Sequence, residues 1–268
     1  MITVSNLPRP MTPPRKPSGT VRVASVDVEW TKNYRIKNGN RPFCFSLVWL
    51  DLCAGTMPAD LEQTGFAFTS VYVEDPGETG DLVAAAAAAI RTAAGQADLI
   101  TGHQLCSDLA VLEANATTPP QPVTEARTAW KDRRTPPETG PRYIDTRFDA
   151  GHLLEGASRR LVDVCTELGL DVTQPELRGT SMTALHHKWI EEGSAQARER
   201  ISVLNVRHSL STAYVAAHAE GLGRWDTGRG LNVNRAIAKE AAGAWPWLTS
   251  STFTDLLGDT CRSATVPS

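Results

Sequence analysis

The chain has 268 residues, 41% of them hydrophobic and 21% charged, with a formal net charge of −3. That length supports one substantial core rather than two large domains, and the slightly acidic balance does not announce a nucleic-acid binder, although a local basic stripe can serve that purpose without a basic total. No apolar run reaches membrane-spanning length and the N-terminus lacks the apolar segment of a secretory signal, so the expectation is a cytoplasmic protein with no membrane partner. The cysteines, Cys44, Cys53, Cys106, Cys165 and Cys261, are scattered and include no Cys-x-x-Cys. Reduced structural thiols are the default for such a set.

Residues 1–20 form a Pro-rich leader carrying Arg9, Arg15 and Lys16 and no acid. Its prolines predict an extended, disordered segment. The first strand is predicted over 21–30. There Asp27 and Glu29 share one face while Val26, Val28 and Trp30 share the other, because side chains alternate along a strand. Two acids side by side repel, so a buried strand tolerates them only around a cation. A divalent metal with oxygen ligands is one candidate, and a solvated edge pair is the plainer account. Strands over 43–52 and 66–74 follow, read as antiparallel neighbours. A helix over 80–95 contains the Ala-rich stretch Ala84–Ile90, good for helix and too small to anchor in lipid.

A short strand over 97–101 ends at Gly102-His103-Gln104, and a helix begins at once, with Asp108 in its first turn. The helix dipole favours a negative charge there, so Asp108 reads equally as a helix-start residue or as part of a site. Pro119, Pro120 and Pro122, then Pro136, Pro137 and Pro141, bracket what reads as a long loop. It carries Arg127, Trp130, Lys131, Arg133 and Arg134, with Arg142 and Arg147 beyond. These fit a phosphate-binding stripe with Trp130 stacking on a base of single-stranded nucleic acid. Arginine outnumbers lysine throughout the chain, so a compositional habit explains the same residues. A strand over 142–146 and helices over 147–155, 159–169, 180–193 and 196–220 complete an α/β mixed sheet flanked by helices. Ile201, Leu204, His208 and Val215 share one apolar stripe of the last helix. His208 is therefore either a core-facing histidine with one hydrogen-bond partner or a metal ligand. Residues 221–268 extend the chain with a short helix near 231–243 and the segment Trp245-Pro246-Trp247.

The order Asp27-x-Glu29 in a strand, two more strands, a helix, then Gly102-His103-Gln104 with Asp108-Leu109 on a helix, and Tyr143-Ile144-Asp145-Thr146 on the next strand, resembles the DEDD family of 3'-5' exonucleases. The likeness is closest to the DNA-polymerase-B-like proofreading branch and covers residues 21–220. It implies a ribonuclease H-like fold with a mixed five-stranded sheet, a nucleic-acid substrate such as single-stranded DNA or a 3' end, and magnesium or manganese as cofactor. By that resemblance Asp27 bridges two ions, Glu29 and a third-motif Asp hold the water-activating ion, and Asp108 serves the other.

Gln104 stands where the family usually has Asn. The third motif departs further: in Leu204-Asn205-Val206-Arg207-His208-Ser209-Leu210, Leu204 occupies the place of the water-orienting Tyr and His208 that of the fourth Asp. Both changes fall on the half of the mechanism that makes and aims the nucleophile. The expectation is therefore a metal-dependent exonuclease with impaired turnover, the alternatives being an inactive nucleic-acid-binding pseudo-nuclease and a protein-interaction scaffold. The expected site comprises Asp27, Glu29, Asp108 and His208, with Trp130, Lys131, Arg133 and Arg134 as nucleic-acid contacts.

Overall fold

The computed structural model describes residues 1–31, 39–135 and 137–258. Pro136 of the proline-bracketed segment, Cys261 and the last ten residues of the C-terminal extension lie outside them. The long apolar runs around residues 21–30 and 43–52 become the two central strands, β2 (Thr20–Thr31) and β3 (Arg41–Cys53). β3 is buried almost without interruption, the pattern of a strand covered on both faces. Four further strands complete the sheet: β1 (Ile2–Ser5), β4 (Ala67–Tyr72), β5 (Leu99–Gly102) and β6 (Arg142–Asp145). Their spatial order is β1-β4-β3-β2-β5-β6. The first four pair antiparallel, whereas β5 runs parallel to β2 and β6 parallel to β5.

The sheet thus has six strands where five were expected. The extra one comes from the leader, which is not disordered at its start: Ile2–Ser5 pairs with Thr69–Tyr72. A second correction concerns the segment between the proline clusters. It forms a helix, α3 (Gln121–Lys131), with Pro122 in the first turn, where a missing N–H costs nothing. The helix expected over 147–155 is shorter, a four-residue turn α4 (Thr146–Asp149) followed by a single 3₁₀ turn.

Alternation along β2 divides the core into two layers. Ala24, Val26 and Val28 pack with α1 (Thr79–Gln96), α2 (Leu105–Ala114) and α3. The opposite face, with Val23 and the β3 residues Val48, Leu50 and Leu52, packs under α5 (Leu161–Glu167), α7 (Ala195–Ala219) and α8 (Val233–Glu240). A further helix, α6 (Met182–Glu192), precedes α7 and contributes Leu185 to the first layer. Residues beyond Gly221 join the same core through Trp225, Leu231, Val233, Ile237, Trp245, Trp247 and Phe253. α7 is consequently buried nearly all round, from Ile201 to Ala217.

On the side of α7 away from the sheet, Arg207 is 0% exposed and makes a bidentate pair with Glu176, at 2.7 and 2.8 Å. Arg207 Nε also donates to Asn234 Oδ1 at 2.7 Å, and the Trp247 indole N–H donates to Glu176 Oε1 at 3.1 Å. This network joins α7 to the C-terminal segment. Removing one partner of a fully buried pair strands the other charge. Arg207→Ala is therefore expected to cost about 3–5 kcal/mol in urea unfolding, and combining Arg207→Met with Glu176→Leu to recover most of it. A single substitution no more costly than a surface change would contradict that account.

Candidate metal centre

Near its C-terminal end β2 turns Asp27 and Glu29 toward α7, opposite Ser46 and Cys44 of β3. The ladder register shifts between Glu29 and Trp30, an irregularity of the kind that re-aims side chains beside functional sites. α7 is pinned over this point by polar groups. Asn205 Nδ2 donates to Asp27 Oδ2 at 2.6 Å and to the Asp27 carbonyl at 3.2 Å, and the Cys44 thiol donates to Asn205 Oδ1 at 3.6 Å. Ser46 Oγ donates to the Asn205 carbonyl at 3.1 Å and lies 2.6 Å from Ser209 Oγ.

One turn along α7, His208 points into the acidic pair. Its Nδ1 lies 3.0 Å from Glu29 Oε1 and 3.6 Å from Asp27 Oδ2. Its Nε2 lies 3.0 Å from the Gln174 amide nitrogen, which donates to a neutral ring; a charged or metal-bound ring is met by Gln174 only with the amide turned to present Oε1. His208 is therefore not a core histidine with one partner: both ring nitrogens are engaged, and the ring faces the carboxylates. The ligand atoms of Asp27, Glu29 and His208 all lie within 4.8 Å of one another, a cluster able to hold a metal ion.

The electrostatics follow from burial and crowding. Burial, then the charge of Asp27, push the Glu29 carboxyl up to about 7, against the opposing hydrogen bond from His208. Burial disfavours a charged His208, but its hydrogen bonds to Asp27 and Glu29 prevail and raise it to about 10. Both shifts favour keeping a proton in the cluster near neutral pH, on the His208 ring beside the two carboxyl groups.

Asp108, in the first turn of α2, is 3% exposed. Burial, then the charges of Asp27 and Glu29, push its carboxyl well above the usual range, and among the described residues its Oδ2 has no hydrogen-bond partner. It belongs to the same electrostatic site but lies outside the tight cluster, which takes His208 instead. Before it, Gln104 adopts a left-handed backbone with φ of 65°, its N–H donating to Asp145 Oδ1 at 2.8 Å. His103 Nδ1 lies 2.9 Å from Thr146 Oγ1 and its Nε2 2.9 Å from the Arg159 carbonyl. Burial pushes both His103 and His186 down to about 4.

Of the expected nucleic-acid contacts, two have partners inside the protein. The Trp130 indole N–H donates to Asp145 Oδ2 at 2.8 Å. Arg133 pairs with Asp149 at 2.7 and 3.2 Å and lies over the Trp130 ring at 4.3 Å. Lys131 and Arg134 are exposed. Farther along the stripe, Arg127 pairs with Glu113 and Arg142 with Glu220. Asn205 and Gln174 were not singled out by sequence reasoning as site residues. Asn205 followed the third motif without an evident role, and Gln174 carried no signal.

No family model matches the chain, and a search of curated proteins found no match. Among the described residues, no helix is long and apolar enough to cross a membrane.

Two outcomes follow from this geometry. Because the folded His208 value lies above the ordinary 6.5, the stability it contributes is complete below pH 6.5 and lost as pH rises through about 10. Histidine NMR of metal-free protein should find His208 charged at pH 8 and His103 and His186 neutral at pH 6. The stability advantage over His208→Gln should shrink across that upper window, and a neutral His208 at pH 7 would refute the arrangement. Separately, Asn tolerates the left-handed region better than Gln, so Gln104→Asn should stabilise the fold by up to about 1 kcal/mol in urea melts. Gln104 Nε2 donates to Ser107 Oγ at 2.7 Å, and a clear loss would show that this bond outweighs the strain.

Proposed function

We propose that this protein is an exonuclease-like member of the DEDD group with a ribonuclease H-like fold, holding one divalent ion at Asp27, Glu29 and His208 and hydrolysing nucleic-acid phosphodiesters slowly. The observation that carries this reading is convergence. Residues 27 and 29 on a central strand and 208 on the last long helix meet in one cluster, and buried Asp108, on the helix after β5, lies close enough to feel the charges of Asp27 and Glu29. The strand order lends support, since an antiparallel run beginning at a central β2 is continued by parallel β5 and β6.

The donor set fits a metal. It offers carboxylate oxygens from Asp27 and Glu29, an imidazole nitrogen from His208 and, nearby, the unpartnered Asp108 oxygen. One nitrogen among oxygens suits manganese, iron or zinc better than magnesium. Such an ion would supply a water of lowered pKa and neutralise charge developing on the phosphate. The protein's own groups orient the ligands: Asn205 holds Asp27, and Gln174 holds His208 from its far side, the kind of support on which metal affinity depends. Leu204 is fully buried and offers no hydroxyl to aim a water, which is why turnover is slow in this reading.

An inactive nucleic-acid-binding form is the second reading. It is favoured by one observation, that His208 Nδ1 stands 3.0 Å from Glu29 and 3.6 Å from Asp27, where a protonated ring compensates the pair without a metal.

Calorimetry separates the two. Manganese should bind at one ion per chain, more tightly as pH rises through the neutral range because Glu29 and His208 must shed protons first, and Asp27→Ala should abolish binding. Absence of heat at millimolar metal would overturn the metal-dependent reading. Adding Leu204→Tyr and His208→Asp together should restore an anionic ligand and a water-orienting hydroxyl. Magnesium-dependent 3'-end degradation should then rise at least about tenfold, which corresponds to about 1.4 kcal/mol in the barrier. Wild-type protein already fast in magnesium would overturn the role given to the third motif.

A further inference from the structure

A strand whose phosphate sits at the carboxylate cluster needs a second hold on its bases, and Trp130 is poorly placed to give it. Its N–H is taken by Asp145, the Arg133 guanidinium lies over its ring at 4.3 Å, and its edge meets Phe148 with ring centroids 6.1 Å apart at 70°. Phe148 is different. It is 48% exposed, the sole aromatic among the exposed large hydrophobic side chains of the described residues.

Its support is rigid. α4 is capped by Asp145, whose carboxylate accepts from Arg147 N at 3.2 Å and Gln104 N at 2.8 Å, while Asp149 Oδ2 accepts from Asp145 N at 2.8 Å. The Arg133 guanidinium, fixed by Asp149, lies 5.7 Å from the Phe148 ring. The ring is therefore held against Trp130 and Arg133 on one side and offered to solvent on the other.

Its segment is tied to the one that leads into the candidate site. Two residues before it, Thr146 meets His103, which follows β5 and leads through Gln104 into the helix bearing Asp108. Around Arg133 the chain reads Lys131-Asp132-Arg133-Arg134, with Lys131, Asp132 and Arg134 exposed, so the segment that packs on the ring carries a net positive charge.

We infer that Phe148 is a stacking platform for a nucleobase of a single strand whose phosphate lies at the Asp27–Glu29–His208 cluster. The inference rests on the exonuclease-like reading and extends it to the mode of substrate recognition. Stacking on a phenyl face is tolerant of base identity, and exposed cations beside it act on the backbone, so binding is weakly selective and salt-sensitive. An exposed ring that is pre-ordered loses little freedom on binding, which is the advantage of packing it against Trp130 and Arg133.

The test measures fluorescence anisotropy of a labelled oligothymidylate and of an abasic strand of equal length, with the full chain, calcium present and low salt. Phe148→Ala should weaken oligothymidylate binding about tenfold or more, leave the abasic strand unchanged and keep the melting temperature. Phe148→Trp should restore binding. If wild-type protein binds both strands and Phe148→Ala binds oligothymidylate as tightly, stacking is refuted while the exonuclease-like reading stands. An equal loss on both strands also refutes stacking, because the missing interaction would not involve a base. If wild-type protein binds neither strand, both readings fall. A wild-type dimer that Phe148→Ala dissociates would assign the ring to self-association and overturn the proposal.

Discussion

Two carboxylates on one face of a buried strand, covered by a buried helix, set the central constraint on this structure. Asp27 and Glu29 lie under α7, where solvent is scarce, and like charges held close in such surroundings need a proton, a cation or both. His208 answers that demand from above, and its ring stays in place because Gln174 holds the opposite nitrogen. The geometry requires that α7 neither slide nor rotate. Ser46 and Asn205 secure its sheet-facing side, while Arg207, one residue before His208, is locked to Glu176 and Asn234 on the other.

Those two anchorages differ in kind. Toward the sheet, α7 is held by short neutral side chains, one amide-to-carboxylate bond and the His208 contact with Glu29. Away from it, a fully buried ion pair and an indole N–H tie the helix to residues 175–177 and 246–249, so the segment beyond Gly221 is an outer wall of the same core. Trp247 and Asn234 are joined to the acidic pair only through α7, by way of Glu176 and Arg207.

Much of this was legible from residue order alone. The alternation of Asp27, Val28 and Glu29 determines which side chains share a face, because a strand has no other option. Asp108 read from its own segment equally as a helix-start residue, and it was the resemblance in motif order that set it beside them. His208 was ambiguous for a definite reason: an apolar stripe identifies an inward face only when the opposite face is wet, and α7 is covered on both sides. α3 was hidden because prolines read as breakers, whereas Pro122 occupies the one helical turn that accommodates it. The stripe of arginines looked free because their acidic partners, Glu113, Asp149 and Glu220, are brought to them only by folding.

The small strand β1 has a consequence for how the chain reaches this state. Its four residues pair with Thr69–Tyr72, more than sixty positions away, and two hairpin-linked strands must already be aligned before that edge exists. Local contacts do nothing to hold Ile2–Ser5 in the meantime, so its docking is a late step with high contact order. Until it occurs, β4 presents an unpaired edge to other chains. The leader thus covers a sheet edge that would otherwise stand open to pairing with another chain.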